Sequence, residues 1–306
     1  MRIVVAARRD TALWCEALAR ALPDARVHAW PDAPGEVDFA AVWKPPPELF
    51  DRVRIRRAIA NLGAGADALL GVTNLPDGVP IVRLVDAGMA EQMAEYVALA
   101  VLAAYREQHR YLRQQHRGQW AQRVRLDKRA FVVGLLGLGV LGRAVAAPLA
   151  ALRFPLAGWS RSARAVEGVT VHAGDSGLDA VLAQSRVLVC MLPLTPDTRG
   201  LLDRARLSRL PRGAHVVNVA RGPLLVDEAL IGLLDQGHLA SATLDVFGEE
   251  PLPPSHRFWH HPAITLTPHV SAATLIDVSA VQLGDTLRAI VRGDRVAGLV
   301  DRQRGY

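Results

Sequence analysis

The chain has 306 residues, half of them hydrophobic, with a formal net charge of +6 and two cysteines. Its length exceeds that of a usual single domain, so two domains are expected. Isolated thiols form neither a disulfide framework nor a metal cluster, and we expect Cys15 and Cys190 to be small buried hydrophobes, with no metal site. The positive charge is scattered and no nucleic-acid module is evident, so nucleic acid is not an expected partner.

The first residues, 1–6, predict a strand and lack the long apolar core of a signal peptide. No apolar stretch approaches the ~20 residues that a membrane span needs. We therefore expect a cytoplasmic protein without a membrane partner.

Strand-like and helix-like segments alternate along the first part of the chain, which is typical of an α/β fold. Strands are predicted at residues 3–6, 39–43 and 58–62, and an amphipathic helix at Thr11–Ala21. A long helical pattern then runs over residues 88–115.

An apolar run at residues 130–136 leads into a glycine motif, whose residues are Gly137, Leu138, Gly139, Val140, Leu141 and Gly142. The run predicts a buried parallel strand, and residues 143–152 predict a helix. This placement is typical of a dinucleotide site: the first glycine permits a tight turn, the second lets the backbone approach a pyrophosphate, and the third packs helix on strand. Free amides at the helix start would bind the phosphates.

The next predicted strand, residues 154–159, indicates which dinucleotide binds. It leads into the segment Trp159, Ser160, Arg161, Ser162, Ala163 and Arg164. An NAD site usually has an acidic residue there for the ribose hydroxyls, but no acid occurs between residues 152 and 166. The arginines and serines suit the 2′-phosphate of NADP, although a solvated basic turn is the alternative. We predict NADP(H) over NAD(H), with NAD(H) possible.

Four later strands are predicted to carry reactive residues at their carboxyl ends, where open α/β sheets bind ligands. These strands are residues 187–192, 215–219, 241–246 and 264–267. After the first of these strands, Leu192, Pro193 and Thr195 border the cofactor. Arg221 follows the second strand and carboxylates follow the third. His269 follows the last strand. Arginine can bind a substrate carboxylate and polarise a ketone, and histidine is the natural proton donor near neutral pH. A carboxylate beside the histidine would favour its charged form. The set suits the reduction of a 2-keto acid.

These segments resemble those of the D-isomer-specific 2-hydroxyacid dehydrogenases. The resemblance covers essentially the whole chain and is sharpest for the glyoxylate/hydroxypyruvate reductase A type, through residues 62–67, 86–93, 159–162 and 300–306. It implies two Rossmann-like doubly wound domains, with a discontinuous substrate domain (residues 1–98 and 271–306) around an inserted coenzyme domain (residues 99–270). The helix from residue 88 resembles the family's dimerisation arm, so a homodimer is expected; an internal core helix is the alternative.

The resemblance also implies the roles of individual residues. The catalytic trio would be Arg221, Glu250 and His269, with the neighbouring Glu249 a solvated bystander. Asp245 would lie near the nicotinamide carboxamide. We also place Val219 and Ala220 in the cofactor site, and we expect the substrate to contact Trp43, the amides at Ala64 and Gly65, and Arg221.

The predicted function is NADPH-dependent reduction of glyoxylate, hydroxypyruvate or a similar small 2-keto acid by hydride transfer, with His269 as the proton donor. The alternative is a cofactor-sensing interaction protein, similar to corepressors of the same fold, which can retain the catalytic residues. An unrelated NADP enzyme, such as an amino-acid dehydrogenase, is disfavoured because no obvious catalytic lysine lies at a strand end.

Overall fold

The computed structural model describes residues 1–123, 127–162 and 164–306. These residues divide into two compact units, the first made of Met1–Met89 and Thr274–Tyr306 and the second of Ala90–Ala273. The second unit is therefore inserted into the first. Ala163, part of the segment predicted to select the dinucleotide, lies outside the described residues. Within the described ranges, every helix is too short or too polar to cross a membrane.

The first unit is built on a five-stranded parallel sheet of order β2-β1-β3-β4-β5. Its strands are β1 (Arg2–Ala7), β2 (Arg26–Ala29), β3 (Glu36–Trp43), β4 (Arg54–Asn61) and β5 (Ile81–Arg83). Its helices are α1 (Thr11–Ala21), α2 (Glu48–Arg52), α3 (Asp67–Leu70) and, from the C-terminal segment, α10 (Ile276–Arg292). Consecutive residues of β1 and β3 are buried because both faces of the sheet are covered. All five carboxyl ends lie at one edge of the sheet, since every pair is parallel.

The second unit is built on a seven-stranded parallel sheet of order β12-β11-β10-β9-β6-β7-β8. Its strands are β6 (Val133–Leu136), β7 (Leu156–Ser160), β8 (Thr170–Ala173), β9 (Val187–Cys190), β10 (Ala214–Asn218), β11 (Leu239–Leu244) and β12 (Ile264–Leu266). Its helices are α4 (Met89–Tyr105), α5 (Gln108–His116), α6 (Val140–Ala151), α7 (Gly174–Gln184), α8 (Arg204–Leu207) and α9 (Asp227–Asp235). The strand order reverses between β6 and β9, which creates the switch point of a doubly wound sheet. The predicted fold class is confirmed.

The long helical pattern predicted over residues 88–115 forms two helices. Helix α4 ends at Tyr105, and Glu107 adopts the left-handed conformation (φ 54°) before α5 begins. Two guanidinium groups contact the Glu107 carboxylate, with Nε of Arg110 at 3.2 Å and Nε of Arg123 at 3.0 Å. The backbone at Glu107 therefore breaks the helix where its carboxylate binds two cations.

Three further details differ from the expectations. Helix α6 begins at Val140 rather than at residue 143, so Gly142 lies within its first turn. The second unit begins at Ala90 rather than at residue 99, because α4 packs its apolar face into the core around Phe131. Cys15 is only half-buried, whereas Cys190 is fully buried, and burial raises the pKa of the Cys190 thiol to about 12.

Candidate active site

The three motif glycines between β6 and α6 have different surroundings. Gly137 has φ 100°, a conformation that favours glycine, and a Cβ there would lie 2.8 Å from the carbonyl oxygen of Met191. A Cβ at Gly142 would lie 2.0 Å from the carbonyl oxygen of Gly137. At Gly139, by contrast, a Cβ would meet no heavy atom of the described residues within 4 Å. Two of the glycines therefore permit close packing within the unit, and Gly139 leaves open space.

This geometry fits a dinucleotide pyrophosphate. Gly139 caps helix α6 with an extended conformation (φ −71°, ψ −159°), and it is exposed. The backbone N–H groups of the first helical turn have no intrahelical acceptors, and the helix dipole favours an anion at that end. The open side of Gly139 and the amides of α6 together form a place where phosphate oxygens can approach the backbone.

The turn after β7 carries the residues predicted to select the dinucleotide. The Ser160 hydroxyl donates to the carbonyl oxygen of Ser162 at 2.7 Å, which closes the turn, and Arg161 and Ser162 are exposed. Nη1 of Arg164 donates to the carbonyl oxygen of Leu138 at 3.3 Å. The structure therefore brings the Arg164 guanidinium to the glycine motif.

Two of the predicted cofactor residues have buried side chains whose contacts are with other residues of the second unit. The Trp159 indole N–H donates to the carbonyl oxygen of Gly174 at 2.8 Å. The side chain of Leu138 packs on Gly158, where an added Cβ would lie 2.8 Å from its Cδ1. Burial of these side chains leaves mainly the backbone of Leu138 and Trp159 for contact with a ligand.

The loop after β9 is closed by its own hydroxyl groups. The Thr198 hydroxyl donates to the carbonyl oxygen of Pro193 at 2.7 Å, and it lies 3.1 Å from the hydroxyl of Thr195. Leu192 is buried and Pro193 is half-buried. The N–H of Met191 donates to the carbonyl oxygen of Leu136 at the end of β6. These bonds place the predicted loop beside the glycine motif.

Arg221 follows β10 in a segment held by Asn218, a fully buried residue whose role the sequence did not reveal. The Asn218 side-chain amide donates to the carbonyl oxygen of Arg221 at 3.0 Å, and its oxygen accepts from the N–H of Ala220 at 3.2 Å. Nη1 of Arg221 donates to the carbonyl oxygen of Ala220 at 2.7 Å. A buried amide therefore fixes the backbone that carries the predicted catalytic arginine. Val219, next to Ala220, is also buried.

Asp245 follows β11 and is fully buried. Its Oδ1 accepts from the Thr267 hydroxyl at 2.6 Å and from the N–H of Val270 at 2.8 Å, and its Oδ2 accepts from the N–H of Ser271 at 2.8 Å. These bonds fix the segment on both sides of His269. The predicted contact of Asp245 with a nicotinamide stays a prediction.

Tyr96 of α4 extends this network, because its hydroxyl lies 2.6 Å from the Thr267 hydroxyl. Since Thr267 donates its proton to Asp245, Tyr96 is the donor to Thr267. Burial raises the pKa of Tyr96, with a smaller contribution in the same direction from Asp245. The phenol therefore stays protonated at neutral pH.

His269 and Glu250 form a pair, with Nδ1 of His269 2.9 Å from Oε2 of Glu250. The other carboxylate oxygen of Glu250 accepts from the N–H of Phe247 at 3.1 Å, which orients the carboxylate. A carboxylate on Nδ1 selects the form of the imidazole with a proton there, so that Nε2 is the nitrogen available for other chemistry. The side chain of His269 is 39% exposed, so a ligand can reach it.

The predicted substrate residues Trp43, Ala64 and Gly65 lie in the first unit, at the carboxyl ends of β3 and β4. The Trp43 ring packs against the loop after β4, since a Cβ at Gly63 would lie 2.3 Å from it. Ala64 and Gly65 are half-exposed. The structure therefore brings Trp43 and the loop together at one sheet edge.

Known proteins are similar to this chain in sequence and in architecture. The family model of the D-isomer specific 2-hydroxyacid dehydrogenase, NAD binding domain, matches residues 98–271. A D-isomer specific 2-hydroxyacid dehydrogenase from Xanthobacter autotrophicus Py2, solved in complex with NADPH and MES, is 41% identical with a TM-score of 0.93, over 100% of this chain and 99% of that chain.

Two further solved structures are similar over the same shares, 100% of this chain and 99% of theirs. An NADPH-dependent glyoxylate/hydroxypyruvate reductase from Sinorhizobium meliloti, in complex with NADP and sulfate, is 35% identical with a TM-score of 0.93. A probable 2-hydroxyacid dehydrogenase from Rhizobium etli CFN 42, in complex with NADP, HEPES and L(+)-tartaric acid, is 29% identical with a TM-score of 0.92.

The chain belongs to the D-isomer specific 2-hydroxyacid dehydrogenase family. This confirms the family and the class of enzyme that the sequence predicts, an NAD(P)-dependent 2-hydroxyacid dehydrogenase.

Proposed function

We propose that this protein reduces glyoxylate, hydroxypyruvate or a similar small 2-keto acid to the 2-hydroxy acid, with NADPH as the reductant. The observation that carries the proposal is the contact of 2.9 Å between Nδ1 of His269 and Oε2 of Glu250. A histidine oriented by a carboxylate, at the carboxyl edge of a dinucleotide-binding sheet, is suited to give a proton to a reacting oxygen.

His269 acts as the general acid in this reaction. As an imidazolium it donates the proton on Nε2 to the alkoxide oxygen that develops from the ketone. Glu250 accepts a hydrogen bond from the N–H at Nδ1 and thereby orients the ring. The bound cofactor supplies a hydride from the nicotinamide C4 to the keto carbon, which balances the proton and yields the 2-hydroxy acid and NADP⁺.

Arg221 binds the carboxylate and the keto oxygen of the substrate. Its planar guanidinium presents several donors at once, and its charge stabilises the negative charge that grows on the oxygen. Asn218 supports this role by binding the N–H of Ala220 and the carbonyl oxygen of Arg221. Trp43 and the amides of Ala64 and Gly65 complete the proposed substrate contacts.

NADPH is the proposed cofactor for two reasons. The related proteins from X. autotrophicus and S. meliloti were solved with NADPH and NADP. In this chain, Arg161 and Ser162 are exposed at the carboxyl end of β7, and the Arg164 guanidinium lies at the glycine motif. A guanidinium matches phosphate oxygens in a bidentate way, so the 2′-phosphate gains contacts that a ribose hydroxyl lacks.

The test is the initial rate of NADPH oxidation with glyoxylate and with hydroxypyruvate, with NADH in parallel. Turnover of either acid with NADPH supports the proposal, and a much lower rate with NADH supports the cofactor preference. Binding of NADPH without turnover of any 2-keto acid would overturn the proposal and favour the cofactor-sensing alternative. The cytoplasmic location and the homodimer stay predictions from the sequence.

A further inference from the structure

The loop after β4 is held from within by Asn61, the last residue of that strand. Asn61 is buried, with 2% of its surface exposed. Its side-chain nitrogen donates to two carbonyl oxygens of the loop, that of Gly63 at 2.8 Å and that of Gly65 at 3.0 Å. One buried amide therefore binds two peptide groups that are separated by a single residue.

These two bonds determine where the amide hydrogens of the loop point. In a trans peptide the C=O of one residue and the N–H of the next point in opposite directions. Because the carbonyls of Gly63 and Gly65 point toward Asn61, the N–H groups of Ala64 and Ala66 point away from it. Within the part of the chain that the structure describes, the N–H groups of Ala64 and Gly65 have no acceptor. Successive amides of this kind form a concave site for an anion.

Positive charge lies at the same edge of the sheet. Arg83 is the register partner of Asn61 on the neighbouring strand β5. Its Nη1 donates to the carbonyl oxygen of Leu84 at 3.1 Å, and the N–H of Leu84 donates to the carbonyl oxygen of Gly63. No carboxylate of the described residues pairs with Arg83, and burial lowers its pKa. A half-buried guanidinium without a counter-ion favours the approach of an anion.

We propose that Asn61 is the positioning residue of the substrate-carboxylate site: it holds two loop carbonyls inward so that the N–H of Ala64 faces the anion, beside the unpaired N–H of Gly65, while Arg83 adds the positive charge. The inference rests on the proposed function, which supplies the carboxylate ligand. Asn61 itself does not touch the substrate. Its effect is to fix the loop before the substrate arrives, which lowers the cost of binding.

The test uses Asn61→Leu in the full-length protein, because leucine has the branched shape of asparagine but no hydrogen-bonding group. Asn61→Ser, which keeps one small donor, is the second variant in case the leucine protein does not fold. Asn74→Leu is the matched control. The Asn74 amide also donates twice in the first unit, to the carbonyl oxygen of Pro47 and to the Asp51 carboxylate, but Asn74 is only half-buried and holds no part of the loop after β4.

We expect Asn61→Leu to raise KM for glyoxylate by about 10-fold or more, the scale of a lost hydrogen bond to a charged group. We expect kcat and the Kd of NADPH to change by less than about 3-fold, because neither depends on the lost bonds in this account. Asn61→Ser should lie between wild type and Asn61→Leu, and Asn74→Leu should match wild type.

Glyoxylamide is the uncharged analogue of glyoxylate. Comparing activity with the two compounds distinguishes the loss of a carboxylate site from a general loss of structure. The ratio of kcat/KM for glyoxylate to that for glyoxylamide should fall about 10-fold in Asn61→Leu. An unchanged ratio in both Asn61 variants would overturn the inference, since a merely structural role lowers both values equally.

Oxamate is an unreactive analogue of a 2-keto acid, so its binding can be measured without turnover. This measurement is therefore independent of the test of the proposed function. If wild type turns over no 2-keto acid, the proposed function fails, and oxamate binding in the presence of NADPH still tests the loop. Weaker binding in Asn61→Leu than in wild type supports the anion site. Equal oxamate affinity in wild type and both Asn61 variants overturns it.

Discussion

Nδ1 of His269 lies 2.9 Å from Oε2 of Glu250, and the backbone beside the histidine is bound by a second carboxylate, that of Asp245. His269 has φ 58°, a left-handed conformation that is uncommon for residues other than glycine. The hydrogen bonds from Val270 and Ser271 to Asp245 hold the chain in that conformation. One carboxylate thus orients the ring and the other fixes its backbone.

Glu250→Gln should lower kcat by about 10²-fold with little change in KM. The oxygen of the new amide would remain on the N–H of Phe247, so its NH₂ group would face Nδ1 and could not accept the hydrogen bond that orients the ring. Steady-state kinetics with glyoxylate measures the effect. Glu249→Gln, at the exposed neighbouring position, is the control and should behave as wild type. Equal loss in both variants would contradict the role of Glu250.

Arg221→Lys should lower kcat/KM by about 10²-fold, because an ammonium group cannot reproduce the planar fork of donors that binds a carboxylate and a keto oxygen together. The measurement is kcat/KM for glyoxylate, with the melting temperature as the check of folding. A folded variant with the activity of wild type would remove Arg221 from the mechanism.

Two alanine substitutions in the glycine motif should have different effects. Gly142→Ala should destabilise the fold by about 1–3 kcal/mol, because its Cβ would meet the Gly137 carbonyl at 2.0 Å. Gly139→Ala should leave the melting temperature nearly unchanged, since no described atom lies near its Cβ, but should weaken NADPH binding where the pyrophosphate approaches. Thermal melts and NADPH titrations measure both effects. Unchanged NADPH affinity in Gly139→Ala would argue against the pyrophosphate site.

Arg161→Ser should raise KM for NADPH by about 10-fold or more, the scale of a hydrogen bond between charged groups. KM for NADH should stay the same, because NADH has no 2′-phosphate, and NADH therefore serves as the internal control. If KM changes equally for both cofactors, Arg161 does not bind the 2′-phosphate.

The stability of the protein should fall as the pH is lowered, because of two histidines whose rings lie 5.0 Å apart. Burial, followed by His109 and nearby arginines, lowers the pKa of His215 from 6.5 to about 3. Burial and neighbouring arginines lower that of His109 from 6.5 to about 4. The unfolded state therefore binds more protons than the folded state below about pH 6.5, and unfolding becomes easier from there down toward the folded pKa values.

Lowering the pH to about 5 should reduce the free energy of unfolding by up to about 2 kcal/mol through His215 alone, at 1.36 kcal/mol per unit below its unfolded pKa. The measurement is the free energy of unfolding in urea at about pH 7 and about pH 5. His215→Gln should show a smaller pH effect, whereas the exposed His116→Gln should keep that of wild type. The same pH effect in all three proteins would contradict this account.

The sequence predicted the elements whose signal is local. The glycine motif and the buried runs of β6 and β9 are contiguous, and the carboxyl ends of parallel strands place Arg221 and His269 at one edge. Strands β2 and β8 were not predicted. Both lie at sheet edges and their side chains are half-buried or exposed, so their sequences have no apolar pattern.

The missed parts of the site depend on contacts between distant residues or on hydrogen bonds that composition does not reveal. Asp245 binds Val270 and Ser271, which lie 25 and 26 residues away. Asn61 and Asn218 are polar residues at the ends of otherwise apolar strands, and only the loop geometry shows which carbonyls they bind. Sequence patterns predicted the reacting side chains and the carboxylate beside the histidine, but not the hydrogen bonds by which Asn61, Asn218 and Asp245 fix the backbone.

Single-turnover reduction of glyoxylate by enzyme with bound NADPH, in wild type and in His269→Asn, tests whether His269 is the proton donor. Asparagine tolerates the positive φ at this position, so the backbone can be retained while the proton donor is lost. We predict that NADPH oxidation is about 10²-fold or more slower in the variant, with unchanged NADPH affinity. Equal rates in the two proteins would contradict the account.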